Sequence, residues 1–205
     1  MPELAIDPRT IGGAFSVDEN ARRIIHYRFA ENVCMTTAAG WASSTPPIKL
    51  KFAFGEHCYH DSVHSIWFGQ RLPELRVTEK MDLETPPTLR TSYVAEPPNE
   101  DFLKFCETMQ LQTEPLLRVV GLYRVLKPHL CVYYRHHRQV TDQVSDAPTV
   151  RILNHILLEE EEHVRWGQAI YEELADTPEK RRTALEWQTE LEVMLARSGG
   201  VTGGR

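Results

Sequence analysis

Glu160 and His163 are the residues whose types and spacing most directly suggest chemistry in this chain. From Ile152 to Leu174 the sequence reads ILNHILLEEEEHVRWGQAIYEEL. At helical spacing Leu153, Ile156, Glu160, His163, Gly167, Ile170 and Leu174 form one stripe, apolar at both ends and polar in the middle. A carboxylate and an imidazole three residues apart on an inward face are costly to bury unless something compensates them, and a metal ion is the usual compensation. The competing reading is a charged run on a solvated face, where strings of Glu are common. The two readings separate on whether other helices carry the same interruption.

Two others do. On a helix running from Ser16 to about Ser43, Ile24, Tyr27, Glu31, Cys34, Met35, Ala38 and Trp41 share a stripe that Glu31 interrupts. A second helix, from about Ile48 to Leu75, carries Leu50, Phe54, His57, Asp61, His64, Phe68 and Leu72, so Asp61 and His64 repeat the acid-then-His spacing. Glu56 and His60 form an alternative pair on a neighbouring face. His57 and His60 read as groups that orient the ligands or as satisfied core histidines, rather than as ligands themselves. A third long helix, from about Pro115 to Val140 with a bend at Pro128, has the stripe Leu116, Val120, Tyr123, Lys127 beside Leu126, Leu130, Tyr134 and His137. No carboxylate lies in its middle.

The elements that must position these groups follow from punctuation in the chain. Residues 1–16 read as an extended arm, with Pro2, Pro8 and Gly12–Gly13. SSTPP ends the first helix, because a residue before proline is pushed out of the α region. Residues 76–99, with two Pro–Pro pairs, read as a long crossover or lid. A short helix from Glu100 to Leu111 precedes the third long one, and the fourth begins near Pro148. Residues 177–197 read as a further helix, packed outside the core or used for association, and 198–205 as a flexible tail. Together these predict an all-α chain with one domain spanning 17–176.

Composition narrows the function. With 23 basic against 29 acidic residues, a net charge of −6 and scattered cations, no phosphate-binding face is expected, so nucleic acid is excluded as a partner. No basic-then-apolar leader and no run of 18 apolar residues occurs, which excludes a membrane partner and predicts a cytoplasmic protein. Cys34, Cys58, Cys106 and Cys131 form no CxxC pair and are expected to be reduced. No Gly-rich phosphate loop, Ser/His/Asp set or Cys/His nucleophile stands out.

Carboxylates on three of four long helices, two of them with a His three residues on, resemble the ferritin-like superfamily of metal-binding four-helix bundles over roughly residues 18–174. GWASSTPP and HDSVHSIWFGQRLPELR are also similar to an uncharacterised bacterial ferritin-like family, which brings no known activity. The resemblance implies a ferritin-like four-helix bundle with an added C-terminal helix. It implies metal ligands Glu31, Asp61, His64, Glu160 and His163, and two iron ions, with manganese or a mixed Mn/Fe pair as alternatives. The sequence departs from the pattern at Asp61, one methylene shorter than the usual Glu, and on the third helix. There Glu107 and Glu114 lie near or before the start. Glu114 is carried as a sixth ligand, with helix capping as its other role, and His129, Tyr123 or Tyr134 are the substitutes. The implied function is a non-haem di-metal oxidase or oxygenase acting on a small organic substrate with dioxygen and an electron donor, and the last helix makes a homodimer an expectation. The alternative is a metal-deficient bundle serving as a binding or interaction module. A helical enzyme like the thiamin- or haem-degrading bundles is disfavoured by the D-x-x-H and E-x-x-H spacing.

Overall fold

A computed structural model describes residues 13–81 and 91–204; residues 1–12 of the expected arm and 82–90 of the expected crossover lie outside the described residues. Among the described residues there are six long or medium helices and a short C-terminal 3-10 turn. Helix α1 is Val17–Ser44, α2 Ile48–Glu74 and α3 Glu100–Gln110. Helix α4 runs through Pro115–Val119, wide π-helical turns at Val120–Leu126, and Lys127–Val140; α5 is Ala147–Leu174 and α6 Pro178–Arg197. Among the described residues there is no strand beyond an isolated bridge between Met81 and Ser92. No described helix is long and apolar enough to cross a membrane.

The helix starts are set by local chemistry. The side chains of Ser16, Asn99 and Thr177 accept hydrogen bonds from the backbone N–H three residues on, satisfying donors that a first helical turn leaves free. Pro115, Pro148 and Pro178 sit in first turns, where a missing N–H costs nothing. Pro128 is different, because it lies inside α4. It cannot donate to the preceding turn, and the wide turns at Val120–Leu126 lie immediately before it. The expected bend is therefore a stretch of π-helix, and Lys127 emerges from it.

The long helices α1, α2, α4 and α5 surround one core. Helix α1 packs along α2, and the last segment of α4 packs along α5. Ile24, Tyr27, Leu50, Phe54, Phe68, Leu72, Leu122, Tyr123, Leu130, Tyr134, Leu153 and Ile156 are buried there. Gly167 lets α5 approach α4 closely, because a Cβ at that position would be driven into the side chain of Tyr123.

The C-terminal stretch read as a flexible tail is folded onto the bundle. Gly200–Thr202 form a 3-10 turn in which Val201 is fully buried and its N–H donates to His129 Nε2 at 3.0 Å. Asn99 Nδ2 donates to Ser198 O at 2.8 Å, and Arg22 to Thr202 O at 3.2 Å. The glycines that suggested flexibility have a different use: Gly199, Gly200 and Gly203 take left-handed backbone angles that side chains disfavour. Helix α6 buries Leu191 and Leu195 against the rest of the chain, so its apolar face is used internally.

Candidate metal centre

Four of the six expected ligands converge. Glu31 on α1, Asp61 and His64 on α2 and Glu160 on α5 are all buried, and one ligand atom from each lies within 4.8 Å of the other three. The convergence follows from the stripes: each residue occupies the polar centre of an otherwise apolar face, so packing three such faces brings the interruptions together. His163, one turn after Glu160, is buried beside the group. Its Nδ1 is 3.3 Å from Glu160 Oε1 and 3.9 Å from Asp61 Oδ1 without making a hydrogen bond. Glu114 is not there. It is the exposed N-cap residue at the start of α4, placed by Pro115, which corrects its assignment as a ligand.

The face of α4 that lacks an acid supplies Lys127. Its ammonium donates to Asp61 Oδ1 at 2.7 Å and to Glu160 Oε1 at 2.6 Å, and all three side chains are fully buried. Lys127 stands on the apolar stripe of the third long helix, level with the carboxylates that interrupt the stripes of the other three, and that level is the signal in the sequence. Tyr134, also on α4, donates its hydroxyl to Glu31 Oε1 at 2.6 Å. His64 lies between two acids, with Nδ1 3.2 Å from Glu31 Oε2 and Nε2 2.7 Å from Glu159 Oε2. Glu159 belongs to the Glu run that looked like a solvated face, and it is half-buried because His64 holds it.

Electrostatics set the protonation of the group. Burial alone would lower the pKa of His64, but Glu31, with hydrogen bonds to Glu159 and Glu31, outweighs it and lifts the imidazole to about 10. Burial likewise acts against the charge on Lys127, and Asp61 and Glu160 overcome it, so the ammonium persists. Burial pushes the Asp61 carboxyl well up, with Glu160 and Glu31 adding to the effect against Lys127. Glu160 is also buried, yet Lys127 and His163 hold it below the usual carboxylate range. Burial and then Lys127 lower His163 to about 4, so it is neutral.

Beside His163 the arrangement is aromatic and imidazole-rich. His60 Nδ1 lies 3.0 Å from His163 Nε2, and the rings of His57 and His163 have centroids 3.9 Å apart. His57 is held in turn by the Tyr123 hydroxyl, 2.7 Å from its Nδ1. Both expected orienting histidines thus contact His163. A cleft of about 110 Å³, lined by Glu56, His57, His60, Glu159, Glu162, His163 and Trp166, opens between α2 and α5 at this point.

The donor set suits a cation. Asp61 Oδ2, Glu160 Oε2 and His163 Nδ1 are buried without a hydrogen-bond partner. A bare carboxylate oxygen in a protein interior is costly, and two of them on residues of a buried four-residue cluster could be satisfied by a metal ion. In comparisons with known proteins, no family model, no curated protein and no solved structure matches the chain.

Proposed function

We propose that this chain is a ferritin-like, non-haem iron oxidase or oxygenase that uses dioxygen on a small organic substrate. Glu31, Asp61, His64 and Glu160 would hold the metal, with His163 beside it. The observation that carries the reading is that two residues of a four-residue ligand cluster from three helices, Asp61 and Glu160, each keep a buried oxygen without a partner. The superfamily assignment and the oxidative chemistry rest on analogy of ligand spacing and helix arrangement. A bound iron would supply the redox change and open positions for dioxygen.

The chain's own residues would do the rest. Tyr134 and Glu159 fix the orientations of Glu31 and His64, as the partners of metal ligands generally do. Phe54, Phe68 and Leu153 share inward stripes with Asp61, His64 and Glu160 and belong to the buried apolar core. The cleft beside His57, His60 and His163 is the approach from solvent, and about 110 Å³ suits dioxygen and a molecule of a few heavy atoms. A cleft of about 320 Å³ near Arg71 and Arg151 is lined by Trp67, whose ring lies 6.0 Å from that of His64.

A second reading, a bundle without metal that acts as a binding module, is favoured by one observation: Lys127 already neutralises part of the cluster. Anaerobic loading with ferrous iron followed by exposure to oxygen separates the two. The oxidase reading expects iron retained after gel filtration and an absorption change with oxygen uptake. Iron lost on gel filtration, with no oxygen uptake, would leave the binding module.

A further inference from the structure

Lys127 is a full-length cation pointed into a set of carboxylates, and the charge count around it is informative. Three acids face the centre: Glu31, Asp61 and Glu160. Against them stand the ammonium of Lys127, bonded to two of the three, and the His64 imidazole, bonded to the third and approaching Glu160 Oε1 at 3.7 Å; the fourth acid on His64, Glu159 at 2.7 Å, is partly exposed, so solvent screens its charge and it stays outside the buried count. If one divalent ion binds and His64 serves as a neutral ligand, three negative charges meet two from the ion and one from Lys127, and the centre is neutral. With two divalent ions and Lys127 in place the same centre carries an excess of two positive charges. An uncompensated buried charge costs several kcal/mol per ion, so the second divalent ion is strongly opposed.

Position agrees with charge. Lys127 Nζ bridges Asp61 Oδ1 and Glu160 Oε1, one oxygen from each of two helices, as a bridging cation would. The oxygens left without a partner are the other atom of each of these carboxylates, Asp61 Oδ2 and Glu160 Oε2. Each carboxylate thus has one oxygen committed to the ammonium and one available.

We infer that Lys127 fills one of two cation positions in this centre, so that the chain holds one divalent ion beside a fixed ammonium instead of two metal ions. The inference rests on the metal-centre reading above and fixes its stoichiometry, which the ligand spacing alone leaves at two. Lys127 is also the residue through which α4 joins the centre, in place of a fourth carboxylate. Converting it to an acid, Lys127→Glu, gives four negative charges, which two divalent ions balance.

Metal stoichiometry of the full-length protein tests this. Protein stripped with a chelator is dialysed to equilibrium against manganese(II), which needs no anaerobic handling, and metal per chain is counted by elemental analysis. The wild type is expected to hold one ion and Lys127→Glu two. Lys127→Met, which keeps the aliphatic stem and removes the charge, is expected to hold one ion more tightly by over about tenfold, because a repelling charge within contact distance is gone. Two ions in the wild type would overturn the inference and leave the metal centre standing. One ion in a folded Lys127→Glu would also overturn it. If that variant fails to fold, Lys127→Met decides: unchanged or weaker affinity counts against the inference. No metal in the wild type or in either variant would overturn the metal centre itself, and the inference with it.

Discussion

Two polar knots are buried among these helices, and they are completed differently. Around Arg71, every group has its complement. Arg71 Nη2 donates to Asp146 Oδ1 at 2.6 Å and Nε to Thr149 Oγ1 at 2.9 Å; Thr149 donates to Asp146 Oδ1 and Thr141 to Oδ2, each at 2.6 Å. No buried side-chain oxygen or nitrogen of these four residues lacks a partner. Around Glu160, about 10–16 Å away along α2 and α5 by helical rise, Asp61 Oδ2 and Glu160 Oε2 have none. The first knot fastens the start of α5 to α2. The second holds more buried charge, three acids around Lys127 and His64, and two carboxylate oxygens that still lack a donor, which is the feature a cation would satisfy.

The comparison breaks first under truncation. Asp146→Ala removes the partner of a buried guanidinium and should cost about 3 kcal/mol of unfolding free energy in a denaturant titration, with manganese affinity unchanged. Glu160→Ala should lower manganese affinity by more than about a hundredfold, because it deletes a ligand shared with Lys127. If Asp146→Ala also lost the metal, the two knots would be one unit and the distinction would fail.

Acid should act on the bundle through histidines buried neutral, and His137 is next to the first knot through Asn20, which bonds both it and Thr141. Burial lowers the pKa of His137 to about 4, below the ordinary 6.5. A depressed folded pKa means that the unfolded chain binds the proton first. The stability this residue contributes is complete above pH 6.5 and is lost as pH falls toward 4, by about 2 kcal/mol between pH 7 and 5. His137→Gln should flatten that part of the stability profile; a profile as steep as the wild type's would place the loss on other groups.

The smallest effect gives the sharpest contrast. Tyr134→Phe leaves Glu31 Oε1 without its donor, and Thr149→Val removes one from Asp146; each should cost about 1–2 kcal/mol in metal-free protein. Added manganese stabilises every variant that binds it, so the reading is the gap to the wild type: it should narrow in Tyr134→Phe, where the ion gives Glu31 a new partner, and stay the same in Thr149→Val. A gap that changes equally in both, measured as melting temperature beside the wild type with and without metal, would show that Glu31 does not meet the ion.

Much of this was legible from periodicity and punctuation. The proline pairs and cap residues placed the helices nearly where they lie, and the interrupted stripes brought Glu31, Asp61, His64 and Glu160 to one level. Which atom meets which was not legible. Glu159 faces away from the stripe and still reaches His64, because a Glu side chain spans the distance between neighbouring helices. Glu114 fits the composition of a ligand but sits before the first turn of α4, where Pro115 holds it in an extended backbone. Lys127 lay on the apolar stripe as an oddity, and a lysine there has two meanings that spacing cannot separate: a stem that snorkels to solvent, or a buried charge with partners on other helices. Only the positions of Asp61 and Glu160 decide between them. The tail differs from its expected flexibility because glycine serves both freedom and left-handed geometry, and at Gly199, Gly200 and Gly203 it is the second.

The most direct test of the cation site is an anomalous difference map from crystals grown with manganese(II). A peak is expected in contact with Glu31, Asp61, His64 and Glu160, beside Lys127, and none at Arg71 and Asp146. A map without density at the four residues, at a manganese concentration well above that of the protein, would contradict it.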